Sequence, residues 1–196
     1  MFHDIPASIR QRMDELEKAD VVDRTDGTAR LLRLRQVNPA TTPLLAILAA
    51  SAPDGRIVEV GASAGYSTMW LALAARAMGR HITTFEWDPR KAAMARDTFE
   101  RTDLEDIVDL IEDDARDHLA ALDDVGFCFI DAEKELYEDC FDLVVPNLVP
   151  GAILTADNTL NHRPTLGPLI NRAAADERLD TVDVPIGMGL LVVRRV

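Results

Sequence analysis

The pattern of apolar and polar positions divides the chain in two. Before residue 55 the apolar residues recur at helical spacing. Ile5, Ile9, Met13 and Leu16 share one face of a helix predicted over 5–19. Residues 20–38 are less regular, with charged residues alternating with Leu31, Leu32 and Leu34. Pro43–Ala50 reads as a short apolar helix and Pro53–Gly55 as a turn. From Arg56 onward, short apolar runs alternate with longer amphipathic stretches. The runs predict strands at 57–60, 81–86, 107–111, 127–131 and 152–156. The stretches predict helices at 66–78, 89–101, 115–122 and 134–147, and a further helix after Pro164 to about Ala175. Asp88-Pro89 is a helix start, with Asp as N-cap and Pro in the first turn. Two last strands, 179–184 and 188–195, flank the turn Pro185-Ile186-Gly187. Alternation of this kind predicts an α/β fold, a doubly wound, mainly parallel seven-stranded sheet with helices on both faces. In such sheets ligands bind beyond the carboxyl ends of the strands, near the point where the strand order reverses.

Composition narrows the class. A chain of 196 residues is expected to form one domain, with 1–55 as a helical N-terminal segment and 56–196 as the core. Hydrophobic residues make up 47% and charged residues 28%, the balance of a soluble globular protein. No apolar run reaches roughly 18 residues, so no membrane span is expected. The charged first twenty residues lack the apolar stretch of a signal peptide, and the cytoplasm is the expected compartment. A net charge of −13 argues against a nucleic-acid partner, which needs a basic surface. Cys128 lies in an apolar run and Cys140 in a predicted helix, without metal-ligand spacing or a disulfide framework.

The ends of the first three strands carry the first candidate chemistry. The turn Gly61-Ala62-Ser63-Ala64-Gly65 is short and small-sided and leads into a helix. Small side chains let a ligand approach the backbone, and the helix start offers free N–H groups. Ser63 stands where G-x-G-x-x-G wants its middle glycine, which disfavours a dinucleotide and an NAD-dependent oxidoreductase. Glu86 ends the second strand, 25 residues after Gly61, where an acid can accept hydrogen bonds from both ribose hydroxyls. Asp88, nearby, is read as the helix cap. A third acidic strand end, Glu112-Asp113-Asp114-Ala115, suits a ligand with an adenine amine.

The segments VEVGASAGYST, TTFEWDP, DDA, FIDAEKELY, PGAILTADNTL and PIGMGLLVVRR occur in this order from Arg56 to the C-terminus. Together they resemble the class I S-adenosylmethionine-dependent O-methyltransferases, specifically the cation-dependent catechol and caffeoyl-CoA type, a Rossmann-like family. The resemblance implies that Glu59, Gly61, Ser63 and Ser67 surround the methionine end of S-adenosylmethionine. It implies Glu86 on the ribose, Asp114 and Ala115 beside the adenine, and Ala62 and Gly65 small for backbone clearance. A positive sulfonium suits acids near the loop better than a pyrophosphate would. Glu59 has a second reading as a structural acid that pins the loop. Trp87 is a candidate cover for the adenine. Residues 1–55 match only loosely, and in relatives this part builds a lid, the substrate pocket and often a dimer contact, so a homodimer is expected.

Asp131 ends the fourth strand and Asp157-Asn158 the fifth. Adjacent parallel strands lie about 4.8 Å apart, so two carboxylates and an amide oxygen can converge. That is a hard-oxygen set suited to Mg²⁺, and also to Mn²⁺ or Ca²⁺, rather than zinc. In the resembled family the matching residues hold a divalent cation, which assigns the metal to Asp131, Asp157 and Asn158 and puts Asp131 beside the cofactor as well. Asp at a strand end can also simply cap the next helix. The metal's task would be to acidify a hydroxyl on a small acceptor. Lys134 follows Asp131 by three residues, where the resembled enzymes carry a lysine as general base. The chain holds 18 arginines against three lysines, which makes a lysine here improbable by chance. Tyr137 is expected to pack and His162 to be a solvated loop residue. The loop Asn161-His162-Arg163-Pro164 lacks the family's aromatic and its longer insertion, which counts against a flat catechol-like acceptor. Two other readings keep the cofactor: a metal-independent methyltransferase and a non-catalytic binding protein.

Overall fold

In the computed structural model, which describes residues 2–196, two helices come first, α1 (Ala7–Asp23) and α2 (Thr42–Ser51). Strands and helices then alternate: β1 (Arg56–Val60), α3 (Tyr66–Met78), β2 (Ile82–Phe85), α4 (Pro89–Arg101), β3 (Val108–Ile111), α5 (Arg116–Leu119) and β4 (Val125–Ile130). The chain continues through α6 (Tyr137–Val144), β5 (Leu148–Asp157) and α7 (Arg163–Ala175), and ends with β6 (Leu179–Val184) and β7 (Leu190–Arg195). The strand order is β3-β2-β1-β4-β5-β7-β6. The first five strands pair in parallel, and β7 runs antiparallel to both its neighbours. The order reverses between β1 and β4, so a crevice opens beyond their carboxyl ends.

The apolar runs of β1 and β4 follow from burial on both faces, as central parallel strands require. Every residue of β4 is buried, as are four of the five of β1. Alternate side chains enter different cores. Ile57, Phe127 and Phe129 pack with residues of α1–α4, and Val58, Val60, Cys128 and Ile130 with residues of α5–α7. The expected doubly wound architecture is therefore present. No helix among the described residues is long and apolar enough to cross a membrane.

Several boundaries differ from the sequence-based expectations. The helix predicted over 115–122 is only Arg116–Leu119, with Leu119 its one buried side chain. The stretch 134–147 is broken into a 3₁₀ turn at Lys134–Leu136, α6, and another 3₁₀ turn at Val145–Asn147. Pro146 has no N–H to continue the α ladder. Strand β5 starts at Leu148 rather than 152, although it contains Pro150 and Gly151. The extra residues fall where the β4–β5 register jumps from Val125↔Leu148 to Phe127↔Ile153, the kind of irregularity that tolerates both residue types. Glu86 and Asp131 sit one residue beyond β2 and β4, and Asp157 is the last residue of β5.

Gly61 is where the loop after β1 meets β4. Its φ is +99°, and a Cβ there would collide with the Asp131 backbone carbonyl. Gly61→Ala is expected to lower folding stability by about 3 kcal/mol or more, since strain and overpacking act together. Urea unfolding measures this, and a change under 1 kcal/mol would show that the two strand ends can part cheaply.

Candidate active site

The crevice is a cavity of about 630 Å³. Its floor is the turn after β1. The Gly61 and Ala62 amides both donate to the Phe85 carbonyl, at 2.9 and 3.1 Å, tying the turn to β2. Ser63 has a φ of +49°. Its amide donates to Glu86 Oε2 at 2.8 Å, and its hydroxyl donates to the Leu34 carbonyl at 2.8 Å. Gly65, with φ +87°, opens α3, and a Cβ there would lie 2.8 Å from the Phe99 ring. Its small size thus serves packing behind the turn. Ala62, Ser63 and Ser67 line the cavity, whereas Glu59 does not.

Glu59 lies behind the turn. Its Oε2 accepts from Thr68 Oγ1 at 2.5 Å and from Thr84 Oγ1 at 2.6 Å, and its buried Oε1 has no partner. Thr84 is its register partner on β2 and Thr68 belongs to α3. The side chain therefore joins β1, β2 and the first turn of α3, which agrees with its structural reading. Burial pushes its carboxyl above the ordinary range.

Glu86 is held by two amides. Oε2 accepts from Ser63 and Oε1 from Asp88, at 2.8 and 2.9 Å. Each oxygen keeps a lone pair for a further donor. Asp88 caps α4 through the Arg90 amide at 2.9 Å, as expected. Trp87 lines the cavity but is 64% exposed. Asp114 also lines it, with its carboxylate engaged by Arg116 at 2.7 Å, and this guanidinium holds it below the usual carboxylate range. Ala115 beside it is buried. Lys91 lies near Glu86, and burial pushes its amine down.

The second half of the site stands at the ends of β4 and β5. Asp131 Oδ1 accepts from Lys134 Nζ at 2.9 Å, Asn158 Nδ2 at 3.2 Å and the Tyr137 hydroxyl at 3.3 Å. Lys134 Nζ also donates to the Ala132 carbonyl at 2.9 Å and the Tyr137 oxygen at 2.8 Å. Asn158, at φ +72°, donates to Asp157 Oδ2 at 2.7 Å. Asp157 is 1% exposed, and its Oδ1 is buried without a partner. Burial, reinforced by the Asp131 carboxylate, pushes Asp157 upward. Among the described residues no three His, Cys, Asp or Glu side chains form a metal cluster. The donor set is two carboxylates and one amide. That set fits a hard cation on two counts: Asp157 Oδ1 is an orphaned oxygen in a confined space, and N–H groups now stand between the two acids. A half-turn of the Asn158 amide would present its oxygen instead.

The structure thus brings Asp131, Lys134, Asp157 and Asn158 together, beside a cavity that also reaches Glu86, Asp114 and the turn. Sequence reasoning missed four further features. Tyr137 packs as expected, but its hydroxyl also joins Asp131 to Lys134. Arg35, at φ +49°, clasps Glu133 with both terminal nitrogens, bringing residues 34–36 over the turn. Lys91 reaches the cavity wall, and the partly exposed His162 lines it as well. Glu133 and Tyr137 lie inside FIDAEKELY, so their place was visible although their contacts were not.

Residues 58–159 match the family described as Methyltransferase domain. A catechol O-methyltransferase of Niastella koreensis is 36% identical over 129 residues, covering 63% of this chain and 58% of that protein. The catechol O-methyltransferase of Mycobacterium tuberculosis is 33% identical over 118 residues, covering 59% and 53%. The chain therefore spans somewhat over half the length of these relatives. An O-methyltransferase from Bacillus cereus, solved in complex with SAH, superposes with a TM-score of 0.79 at 23% identity, over 94% of this chain and 90% of that one. The family match covers more than half of the chain, which belongs to the methyltransferase-domain family.

Glu59 yields a pH prediction. A raised carboxyl pKa means that the folded state holds a proton the unfolded state releases. The stabilising effect is present in acid and is lost as pH rises through the folded pKa. Glu59→Gln removes this dependence while leaving an oxygen for Thr68 and Thr84. In guanidinium unfolding the variant is expected to gain on wild type between pH 5 and pH 8, and a gap that shrinks over this range would contradict the assignment.

Proposed function

We propose that the protein is an S-adenosylmethionine-dependent O-methyltransferase acting on a hydroxyl of a small molecule with help from a divalent cation, Mg²⁺ by preference. The supporting observation is that Asp131, Lys134, Asp157 and Asn158 converge on the same crevice as the Gly61–Ser67 turn and Glu86. Glu86, fixed by two amides, is suited to a ribose diol. Asp114, Ala115 and Trp87 are assigned to the adenine, and Ala62, Ser63 and Ser67 to the methionine end. Gly61 and Gly65 let the turn take its course, and Glu59 braces it from behind.

The reaction moves one methyl group from sulfur to oxygen, leaving S-adenosylhomocysteine, and the acceptor hydroxyl loses its proton. A cation held by Asp131, Asp157 and Asn158 would supply charge stabilisation for the developing oxyanion. Lys134 takes the proton. As the neutral amine it accepts that proton, and the ammonium so formed donates to Asp131, Ala132 and Tyr137. Tyr137 positions Lys134 and is itself held far above its ordinary pKa by burial, so it stays a neutral phenol. The Arg35–Glu133 clasp and Leu34 close the site from above and exclude water. One domain carries the whole site, with residues 1–55 as lid and dimer segment. A homodimer in the cytoplasm, with no nucleic-acid or membrane partner, completes this reading. Val21, Val22, Leu31 and Leu32 are exposed on that segment, which supports a subunit contact there.

The hydrogen bonds from Asn158 Nδ2 to both carboxylates favour a second reading, a methyltransferase whose acid cluster stands without a cation. Chelation separates the two. Methyl transfer is expected to stop in EDTA and return with Mg²⁺, whereas activity that survives removes the metal. Asp157→Ala is expected to cut turnover by about 100-fold or more while leaving S-adenosylmethionine affinity within about threefold. Equal loss of both would make Asp157 structural. Lys134→Met is expected to cost about 10²–10⁴ in kcat, as for a lost general base, with the loss shrinking at high pH. A pH-independent loss would assign Lys134 to positioning.

A further inference from the structure

The proposed activity leaves the arginines over the crevice unused. Among the described residues, 14 of the 18 arginines take part in an ion pair, as expected in a chain with 34 acids. The four that do not are Arg10, Arg30, Arg33 and Arg195. Two of these, Arg30 and Arg33, line the cavity. Arg33 donates from Nε to the Thr28 carbonyl at 2.8 Å. Arg30 shows no side-chain hydrogen bond and no ion pair.

The backbone at Arg30 is set in a short turn, while its side chain is exposed. Arg30 begins a 3₁₀ turn, Arg30–Leu32, closed by the Leu32 amide on the Ala29 carbonyl at 2.8 Å. The Arg33 bond to Thr28 ties the turn back on itself. Downstream, the Leu34 amide donates to Asp23 Oδ2 at 2.6 Å and Arg35 clasps Glu133. The turn is thus anchored at the acceptor end of the crevice. Glu133 and His162 line the same cavity as Arg30, and His162 lies just past Asp157-Asn158. Neither neutralises the Arg30 charge. Glu133 gives both carboxylate oxygens to Arg35, and a histidine carries no negative charge to offer. Lys134 is engaged by Asp131, Ala132 and Tyr137.

The same end lacks the usual alternative for gripping a flat acceptor. The Phe, Tyr and Trp rings on the cavity wall are Tyr66, Phe85 and Trp87, all from the start of α3 or the end of β2. None comes from the stretch 131–188 or from the N-terminal segment. Charge is therefore the handle on offer there, and an unpaired guanidinium presents a fork of donors that matches a carboxylate.

We propose that Arg30 is a specificity-determining residue that pairs with a carboxylate on the methyl acceptor, so that the acceptor is a small hydroxylated acid rather than a neutral alcohol or diol. The proposal rests on the methyltransferase reading above. It names the acceptor's charge and leaves Arg30 outside the methyl-transfer machinery.

The test uses a matched pair that differs only in the carboxylate, 3,4-dihydroxybenzoate and catechol. Each is titrated calorimetrically, with Mg²⁺ present, into wild type and into Arg30→Gln and Arg30→Lys, all loaded with S-adenosylhomocysteine. Wild type is expected to bind the acid at least about tenfold more tightly, in the range of one charge-assisted hydrogen bond. Arg30→Gln is expected to erase that preference without moving catechol or S-adenosylhomocysteine affinity. Arg30→Lys is expected to retain most of it, and added salt to weaken the acid alone. The proposal is overturned by equal binding of the pair, by binding of neither, or by a preference that persists in Arg30→Gln. It is also overturned if Arg30→Gln weakens S-adenosylhomocysteine instead, which would give the guanidinium to the cofactor's own carboxylate. A change in molar mass by light scattering with unaltered acid affinity would give it to a subunit contact. Normal S-adenosylhomocysteine binding without acid preference removes only this proposal, while failure to bind S-adenosylhomocysteine removes the methyltransferase reading with it.

Discussion

At the end of β1 the Val60 carbonyl accepts the Asp131 amide at 2.9 Å, and Gly61 turns away directly against the Asp131 carbonyl. This contact is the narrowest constraint in the molecule. It is made at the point where the strand order reverses, so the two chains leaving it diverge to opposite sides of the crevice. One becomes the small-residue turn and the start of α3. The other becomes Asp131, Lys134 and Tyr137. The distance between the small-residue turn and the acidic cluster is therefore set by backbone packing, which is stiff, rather than by side-chain choice. A residue larger than glycine at 61 would move both halves at once.

Around that contact the charges are arranged in two tiers. The inner tier holds Glu59 and Asp157, two acids that burial penalises, together with the half-buried Asp131. Each is offset by neutral or cationic donors close by: threonine hydroxyls for Glu59, Lys134 and Tyr137 for Asp131, and the Asn158 amide for Asp157. Glu59 Oε1 and Asp157 Oδ1 remain without partners. An orphaned oxygen behind the turn is a structural cost, while one inside the crevice is an opening for a ligand. The outer tier is guanidinium, with Arg35 committed to Glu133. Acids below and arginines above give the crevice a polarity across its depth that a net charge of −13 would not suggest.

Much of this is legible in the amino-acid sequence. Alternation of short apolar runs with amphipathic stretches marks strand ends, and residues at strand ends are where ligands meet such sheets. Glu86, Asp131, Asp157 and Asn158 were visible for that reason, and Lys134 through the scarcity of lysine. What stayed hidden depends on contacts distant in sequence. The Arg35–Glu133 clasp joins residues 98 apart, and the segment that carries Arg35 shows no periodicity. Leu34 enters the site through a backbone carbonyl, which no side-chain pattern announces. The Tyr137 hydroxyl is hidden because a buried ring at helical spacing reads as packing. Boundaries failed where proline or a register jump intervened, as at Pro146 and Leu148–Ala152.

The scarcity of lysine has a consequence outside the crevice. Lys91 is 7% exposed and the Lys134 side chain 11%, whereas Lys18 on α1 stands in solvent. Nearly all surface cations are guanidinium groups, whose charge does not titrate below about pH 12. Alkaline conditions that strip the charge from lysine-rich proteins leave the positive charge of this surface largely in place. For chemistry directed at lysine amines the folded protein presents a single side-chain handle, so a tether placed through Lys18 would leave the crevice lysines unmodified as long as the fold stays closed.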